Sequence, residues 1–172
     1  VPVTETLAWE TDVQRAINGA VQRISTRRHP RRTLAYDVMA MSEAELRTLA
    51  ALLNDRLTDP IVLPIWAEPI SLAADQDGTA LVLADASLSE LAAGDFALLV
   101  RADRTAQEVV RVDAIDRSLG VLTLANPLAN SFRAGDRLYP CVSATLPDGS
   151  KIDRHRTGVG RLAVRGTVAG RA

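Results

Sequence analysis

The 172-residue sequence has one cysteine, one lysine and very few aromatic side chains. Cys141 has no second cysteine in the chain, so an intrachain disulfide is excluded. Aromatic residues make up 3% of the sequence, and the core must therefore consist mainly of leucine, valine, isoleucine and alanine. No apolar run reaches the roughly 18 residues that a membrane-spanning helix needs, which favours a soluble globular protein.

The sequence also lacks an initial methionine and a basic-then-apolar signal peptide. We therefore expect it to be a processed form or a part of a longer protein.

Motifs for catalysis and for metal binding are missing as well. His29 and His155 each lie among arginines, and no H-x-x-x-H, C-x-x-C or H-E-x-x-H spacing occurs. Cys141 lies in an apolar run, which favours a buried inert thiol over a nucleophile. Residues 75–78, "DQDG", resemble the start of a calcium loop but lack its twelfth-position glutamate, so a turn is favoured. Residues 158–166 lack the G-K-[ST] ending of a phosphate loop. We expect no enzyme activity, no cofactor and no metal.

The N-terminal part of the chain has the alternating pattern of antiparallel strands. Apolar and polar residues alternate over 7–17, and Asn18-Gly19 follows, the pair that best fits a two-residue hairpin turn. A second strand over 20–26 and a third over 32–41 complete a predicted three-stranded meander.

A single helix is predicted over residues 42–57. Ser42 and Glu45 have the S-x-x-E spacing of a capping box. One apolar stripe at helical spacing follows, formed by Leu46, Leu49, Ala50, Leu53 and Leu57. The next apolar run, "IVLPIW" at 61–66, predicts another strand. The stripe indicates that the helix packs on the sheet of the first domain, residues 1–69.

The pattern changes at about residue 70. Short apolar runs separated by turn residues occur at 80–84, 96–101, 107–115, 121–125 and 138–146. Two of these runs follow an A-G-D turn, at residues 93–95 and 134–136. The spacing predicts a small antiparallel β-barrel over 70–146. The basic segment 147–172 is either a return strand of the first domain or a flexible end.

Charge is distributed unevenly, and arginines cluster near the N-terminus. The net charge is −1 over residues 1–69, −4 over 70–146 and +4 over 147–172. The candidate contact residues are Arg15, Arg23, Arg27, Arg28, Arg31 and Arg32. Strand alternation would place Arg23 and Arg27 on one side and Arg28 and Arg32 on the other. A nucleic-acid surface needs these charges on one face with aromatic residues between them. Solvated strand faces or contacts to a neighbouring subunit are therefore favoured over DNA binding.

The order of these elements resembles that of distal-tail-type proteins in the tail tips of long-tailed bacteriophages. The matching residues are Trp9, Asn18-Gly19, Gln22-Arg23, Pro30-Arg31-Arg32 with Tyr36, the helix from Ser42, and Pro64-Ile65-Trp66. The A-G-D turns and "LTLANPL" at 122–128 are similar to the small barrel that such proteins carry.

The resemblance implies a mainly β fold: an antiparallel tail-tube-like β-sandwich with one flanking helix, plus the small β-barrel. It also implies a virion protein that forms a ring, hexameric in the family. Its partners would be the tail tube protein and the hub or fibre proteins, with DNA only in transit. The candidate arginines would then contact acidic residues of the next subunit. Two alternatives stay open: a nucleic-acid-binding β-protein, and an accessory carbohydrate- or receptor-binding module.

Overall fold

The structure is a computed structural model that describes residues 3–8, 11–15, 17, 21–25, 31–56, 59–85, 91–147, 150–156 and 159–168. It is mainly antiparallel β-sheet, with a single helix in these residues, which confirms the predicted fold class. The chain divides into two compact units. Unit 1 consists of Val1–Ile61 and Ala144–Ala172, and unit 2 consists of Val62–Ser143.

The elements of the described residues follow one another in this order: β1 (Thr4–Ala8), β2 (Thr11–Arg15), β3 (Val21–Ser25), β4 (Arg31–Ala40), α1 (Glu43–Arg56), β5 (Ile61–Pro64), β6 (Ile70–Ser71), β7 (Ala80–Val82), β8 (Phe96–Val100), β9 (Gln107–Asp116), β10 (Val121–Leu124), β11 (Arg137–Thr145), β12 (Ile152–Arg156) and β13 (Val159–Val168).

Unit 1 is organised around the long strand β4. On one side β4 pairs with β1, and on the other it pairs with β13 from Gly160↔Ala40 to Thr167↔Thr33. Strand β12 pairs with β13 in turn. Alternate side chains of β4 and β13 are buried, namely Leu34, Tyr36, Ala40, Leu162 and Val164. This period of two defines the inner face of the sheet.

Helix α1 is capped as its sequence predicts and contributes to the core of unit 1. The Ser42 hydroxyl accepts a hydrogen bond from the amide of Glu45, and the Glu45 carboxylate accepts one from the amide of Met41. Leu46 and Leu53 of the apolar stripe are buried. A Cβ atom built on Gly160 would lie 2.5 Å from Cδ1 of Leu46. The helix therefore packs closely on β13, and a larger residue at position 160 would require the Leu46 side chain to move.

Two details of the predicted meander are wrong. The β2–β3 hairpin exists, but its register places Arg15 opposite Val21. A two-residue turn at 18–19, whose own residues are outside the described set, would instead place position 15 opposite 22. In addition, within the described residues β4 pairs with β1 and β13 and not with β3. Turn chemistry indicates where a chain reverses, and it does not select the partner of the following strand.

Unit 2 is an open antiparallel sheet and not the closed barrel predicted from the turn spacing. Its ladders connect the strands in the order β6-β11-β8-β9-β10-β7. Between β6 and β7, the position where a barrel would close, there is one isolated bridge, Leu72↔Leu83. The next residues turn aside, because Gln76 pairs with Phe132 through two backbone hydrogen bonds of 2.8 Å. A full β6–β7 ladder consequently does not form.

The two A-G-D turns of unit 2 have the same geometry. The carboxylate of Asp95 accepts the amide of Ala92 at 2.8 Å, and the carboxylate of Asp136 accepts the amide of Arg133 at 2.7 Å. The glycines between them, Gly94 and Gly135, have φ angles of 91° and 89°. Glycine is required at this position because an L side chain rarely adopts such a conformation. The two A-G-D sequences thus correspond to a repeated local structure.

Candidate subunit-interface site

The six candidate arginines do not all lie in the described residues. Arg15 is exposed at the end of β2, and Arg23 lies in β3 opposite Val13. Arg27 and Arg28, whose predicted positions are on opposite strand faces, lie outside the described residues.

Arg31 and Arg32 begin strand β4. Arg31 lies opposite Ala8 of β1. Arg32 is on the same face as Leu34 and Tyr36 because the three residues alternate along the strand. Its guanidinium forms an ion pair with the Glu5 carboxylate, and the two side chains are only 12% and 23% exposed. Arg32 therefore meets an acidic residue of its own chain.

Removing the charge of Glu5 tests this ion pair. Glu5→Gln is expected to lower the free energy of unfolding by about 1 kcal/mol, because the half-buried Arg32 guanidinium loses the negative charge of Glu5 beside it. The matched control is Glu43→Gln, whose partner Arg47 is 80% exposed, and its expected effect is below about 0.5 kcal/mol. Urea unfolding at neutral pH measures both variants. Equal effects would contradict a stabilising role for the Glu5–Arg32 pair.

The hairpin that carries Arg15 and Arg23 is a separate structural feature. In the described residues β2 and β3 form a two-stranded sheet that does not join the larger sheet of unit 1. A two-stranded ribbon is marginally stable in water by itself and gains stability from a surface on which it can pack. The ribbon is therefore suited to contact a neighbouring surface, with Arg15 exposed at its end.

Division of the chain into units sharpens the charge asymmetry of the sequence. Unit 1 contains 14 lysines and arginines against 10 aspartates and glutamates, a net charge of +4. Unit 2 contains 6 against 11, a net charge of −5. This partition is not visible along the linear sequence, because strand β13 returns the basic C-terminal residues to unit 1. Opposite charges on two parts of one chain favour head-to-tail contacts between copies.

Reactive groups and cation-binding clusters do not define a site in the described residues. Burial raises the pKa of the Cys141 thiol to about 12, so the sulfur stays protonated at neutral pH. Across the same part of the chain, no group of three or more His, Cys, Asp or Glu side chains could hold a metal ion. Nor does the described helix have the length and apolar character needed to cross a membrane.

Comparison with known proteins gives no family assignment. No protein-family model matches the chain, and no curated protein matches it. The candidate site thus depends on the geometry and charge of the chain itself.

Proposed function

We propose that this chain is a structural protein of a bacteriophage tail tip, where copies of it form a ring. The ring would join the tail tube to the hub or receptor-binding parts and would leave a channel for DNA. The observation that carries this proposal is the charge partition between unit 1, at +4, and unit 2, at −5. In a ring, the basic unit of one copy can contact the acidic unit of the next copy, and every copy uses both surfaces.

Two further features support the proposal. The β2–β3 ribbon offers an element that a neighbouring subunit could stabilise, and the exposed Arg15 lies at its end. The sequence motifs given above also resemble those of distal-tail-type proteins. Arg32 is less suited than the other candidate arginines to contact a neighbouring subunit, because it already has an acidic partner, Glu5, within unit 1.

The molar mass of the purified chain tests ring formation. Light scattering at low and moderate salt is expected to detect oligomers that weaken as salt rises, because screening reduces the attraction between exposed charges. Negative-stain images of the same samples should contain closed rings. A monomer at every protein and salt concentration would contradict the proposal.

Charge reversal distinguishes the candidate arginines from net charge alone. The double variant Arg15→Glu/Arg28→Glu is expected to shift the population toward monomer. The matched control, Arg47→Glu/Lys151→Glu, makes the same change in the net charge of unit 1 at two side chains that are both 80% exposed, and it should weaken the oligomers much less. Equal loss of oligomers in both variants would contradict a specific role of the candidate arginines. A monomer that retains labelled duplex DNA would favour the nucleic-acid-binding alternative.

A further inference from the structure

Unit 2 contains an internal sequence repeat that extends beyond the A-G-D turns. Residues 79–100 align with residues 120–141 without a gap, at a constant offset of 41. Six of the 22 positions are identical, namely Leu81/Leu122, Leu83/Leu124, Ala84/Ala125, Ala93/Ala134, Gly94/Gly135 and Asp95/Asp136. The buried residue two positions before each A-G-D turn is Leu91 in the first repeat and Phe132 in the second repeat.

The backbone hydrogen bonds follow the same repeat as the sequence, and they connect one repeat to the other. The amide of Leu83 donates to the carbonyl of Gly120 at 2.7 Å, and the equivalent amide of Leu124 donates to the carbonyl of Thr79 at 2.7 Å. Strands β8 and β11 are equivalent as well, and they pair around Leu98↔Tyr139, two residues that correspond to each other in the repeat. This reciprocal pattern is that of a pseudo-twofold axis.

The same reciprocity holds at the A-G-D turns. The amide of Gly94 donates to the carbonyl of Val112 at 2.8 Å, and the amide of Gly135 donates to that of Leu72 at 2.9 Å. In return, the amide of Val112 donates to the backbone carbonyl of Asp95, and the amide of Leu72 donates to the backbone carbonyl of Asp136. Each turn is therefore held by the other half of the unit.

Neither half builds a core by itself. We define the first half as residues 70–100 and the second half as residues 107–141. The buried core cluster of unit 2 takes six residues from each: Leu72, Leu81, Leu83, Leu91, Ala97 and Leu99 from the first, and Val110, Val112, Leu122, Leu124, Phe132 and Leu138 from the second. Strands β7 and β8 pair with strands of the second half. The halves are thus interleaved across a single connection, the loop 101–106.

This connection is short and strained. The amide of Arg101 donates to the carbonyl of Ala106, and Arg104 between them has a φ of 61°. A non-glycine residue in this left-handed conformation stores backbone strain that an extended loop would release. The amide of Ala102 donates to the buried carboxylate of Asp136 at 2.8 Å, which holds the loop closed. Short strained connections of this kind favour the exchange of elements between chains.

We propose that two copies of this chain exchange halves at the loop 101–106. Residues before the loop in one copy then complete the core with residues after the loop in the other copy. Because β4 precedes the loop and β13 follows it, the exchange also pairs β4 of one copy with β13 of the other. All contacts of the single chain are kept, apart from those of the opened loop.

Single-cysteine chains test the exchange in the full-length protein. In a Cys141→Ala background, one chain carries Val100→Cys and a second chain carries Arg137→Cys, two positions that are opposite each other in β8 and β11. The two chains are mixed, unfolded in urea, refolded together and oxidised. A disulfide-linked dimer on a non-reducing gel is expected, several-fold above the control and increasing with protein concentration. Circular dichroism verifies that each variant is folded.

The control pair is Ala114→Cys with Thr123→Cys. These positions are opposite each other in β9 and β10, both after the loop, so exchange leaves them within one chain. A dimer yield for the 100/137 mixture no higher than this control would overturn the proposal. Equal yields with and without unfolding would also overturn it, because they would indicate contact between folded copies. Arg104→Gly, which relieves the strain, is expected to lower the yield about fivefold. The disulfide yield measures exchange between chains and does not depend on ring formation. Either proposal can therefore fail without the other.

Discussion

Asp136→Ala is expected to lower the free energy of unfolding by about 3 kcal/mol. Asp136 is the one charged side chain among the described residues that is buried, at 3% exposure. Its two carboxylate oxygens accept hydrogen bonds from the amides of Ala102 and Arg133, at 2.8 and 2.7 Å. Alanine would leave both amides without this acceptor, and an unsatisfied buried donor costs about 1–3 kcal/mol.

Chemical denaturation of three variants measures this effect. Asp136→Asn keeps one carbonyl oxygen, so we expect it to cost about half as much as the alanine variant. Asp95→Ala is the matched control, because its half-buried carboxylate occupies the equivalent turn and accepts the amide of Ala92. Its expected cost is about 1 kcal/mol. Equal losses for Asp95→Ala and Asp136→Ala would contradict the importance of the bond to Ala102.

Phe132→Ala is expected to have the largest effect of all, about 4 kcal/mol. Phe132 is 1% exposed and is the largest side chain in the core cluster of unit 2. Its removal takes away buried apolar surface and leaves a cavity that the interleaved strands cannot fill without breaking their pairing. The Arg101 guanidinium, 6.0 Å from the ring centroid, would also lose its aromatic partner.

Phe132→Leu separates the size of this side chain from its aromatic character. Leu91 occupies the corresponding position in the first half, so a leucine fits this kind of turn. We expect a cost of about 1 kcal/mol for the leucine variant. Calorimetric unfolding of both variants measures the difference. A loss below about 1 kcal/mol for Phe132→Ala would show that the site can collapse around the missing ring.

Local features of the fold could be predicted from the sequence with little error. The capping box at Ser42 and Glu45 places the start of the helix correctly, because the two residues form local hydrogen bonds. The runs that became β8 and β10 were also recognised, since turn residues bound them on both sides. Pairing between strands that are far apart in sequence, such as β4 and β13, could not be predicted from local sequence patterns.

The candidate site was predicted less completely. Alternation along β4 is enough to place Arg32 on the face of Leu34 and Tyr36. Its partner Glu5, however, is 27 residues earlier in the chain, and only the β1–β4 register brings the two together. The charge partition required the unit boundaries, which depend on where β13 pairs. In both cases the missing information was tertiary.

Strand β13 has a consequence for synthesis on the ribosome. Unit 1 needs β13 to pair with β4, but all of unit 2 lies between the two strands in sequence. During translation, β4 and α1 emerge long before their partner, whereas unit 2 is complete once residue 143 has emerged. We therefore expect unit 2 to fold first while the nascent chain is still attached. The apolar face of β4 then stays without β13 until residues 159–168 have also emerged, and during this period a chaperone would protect it.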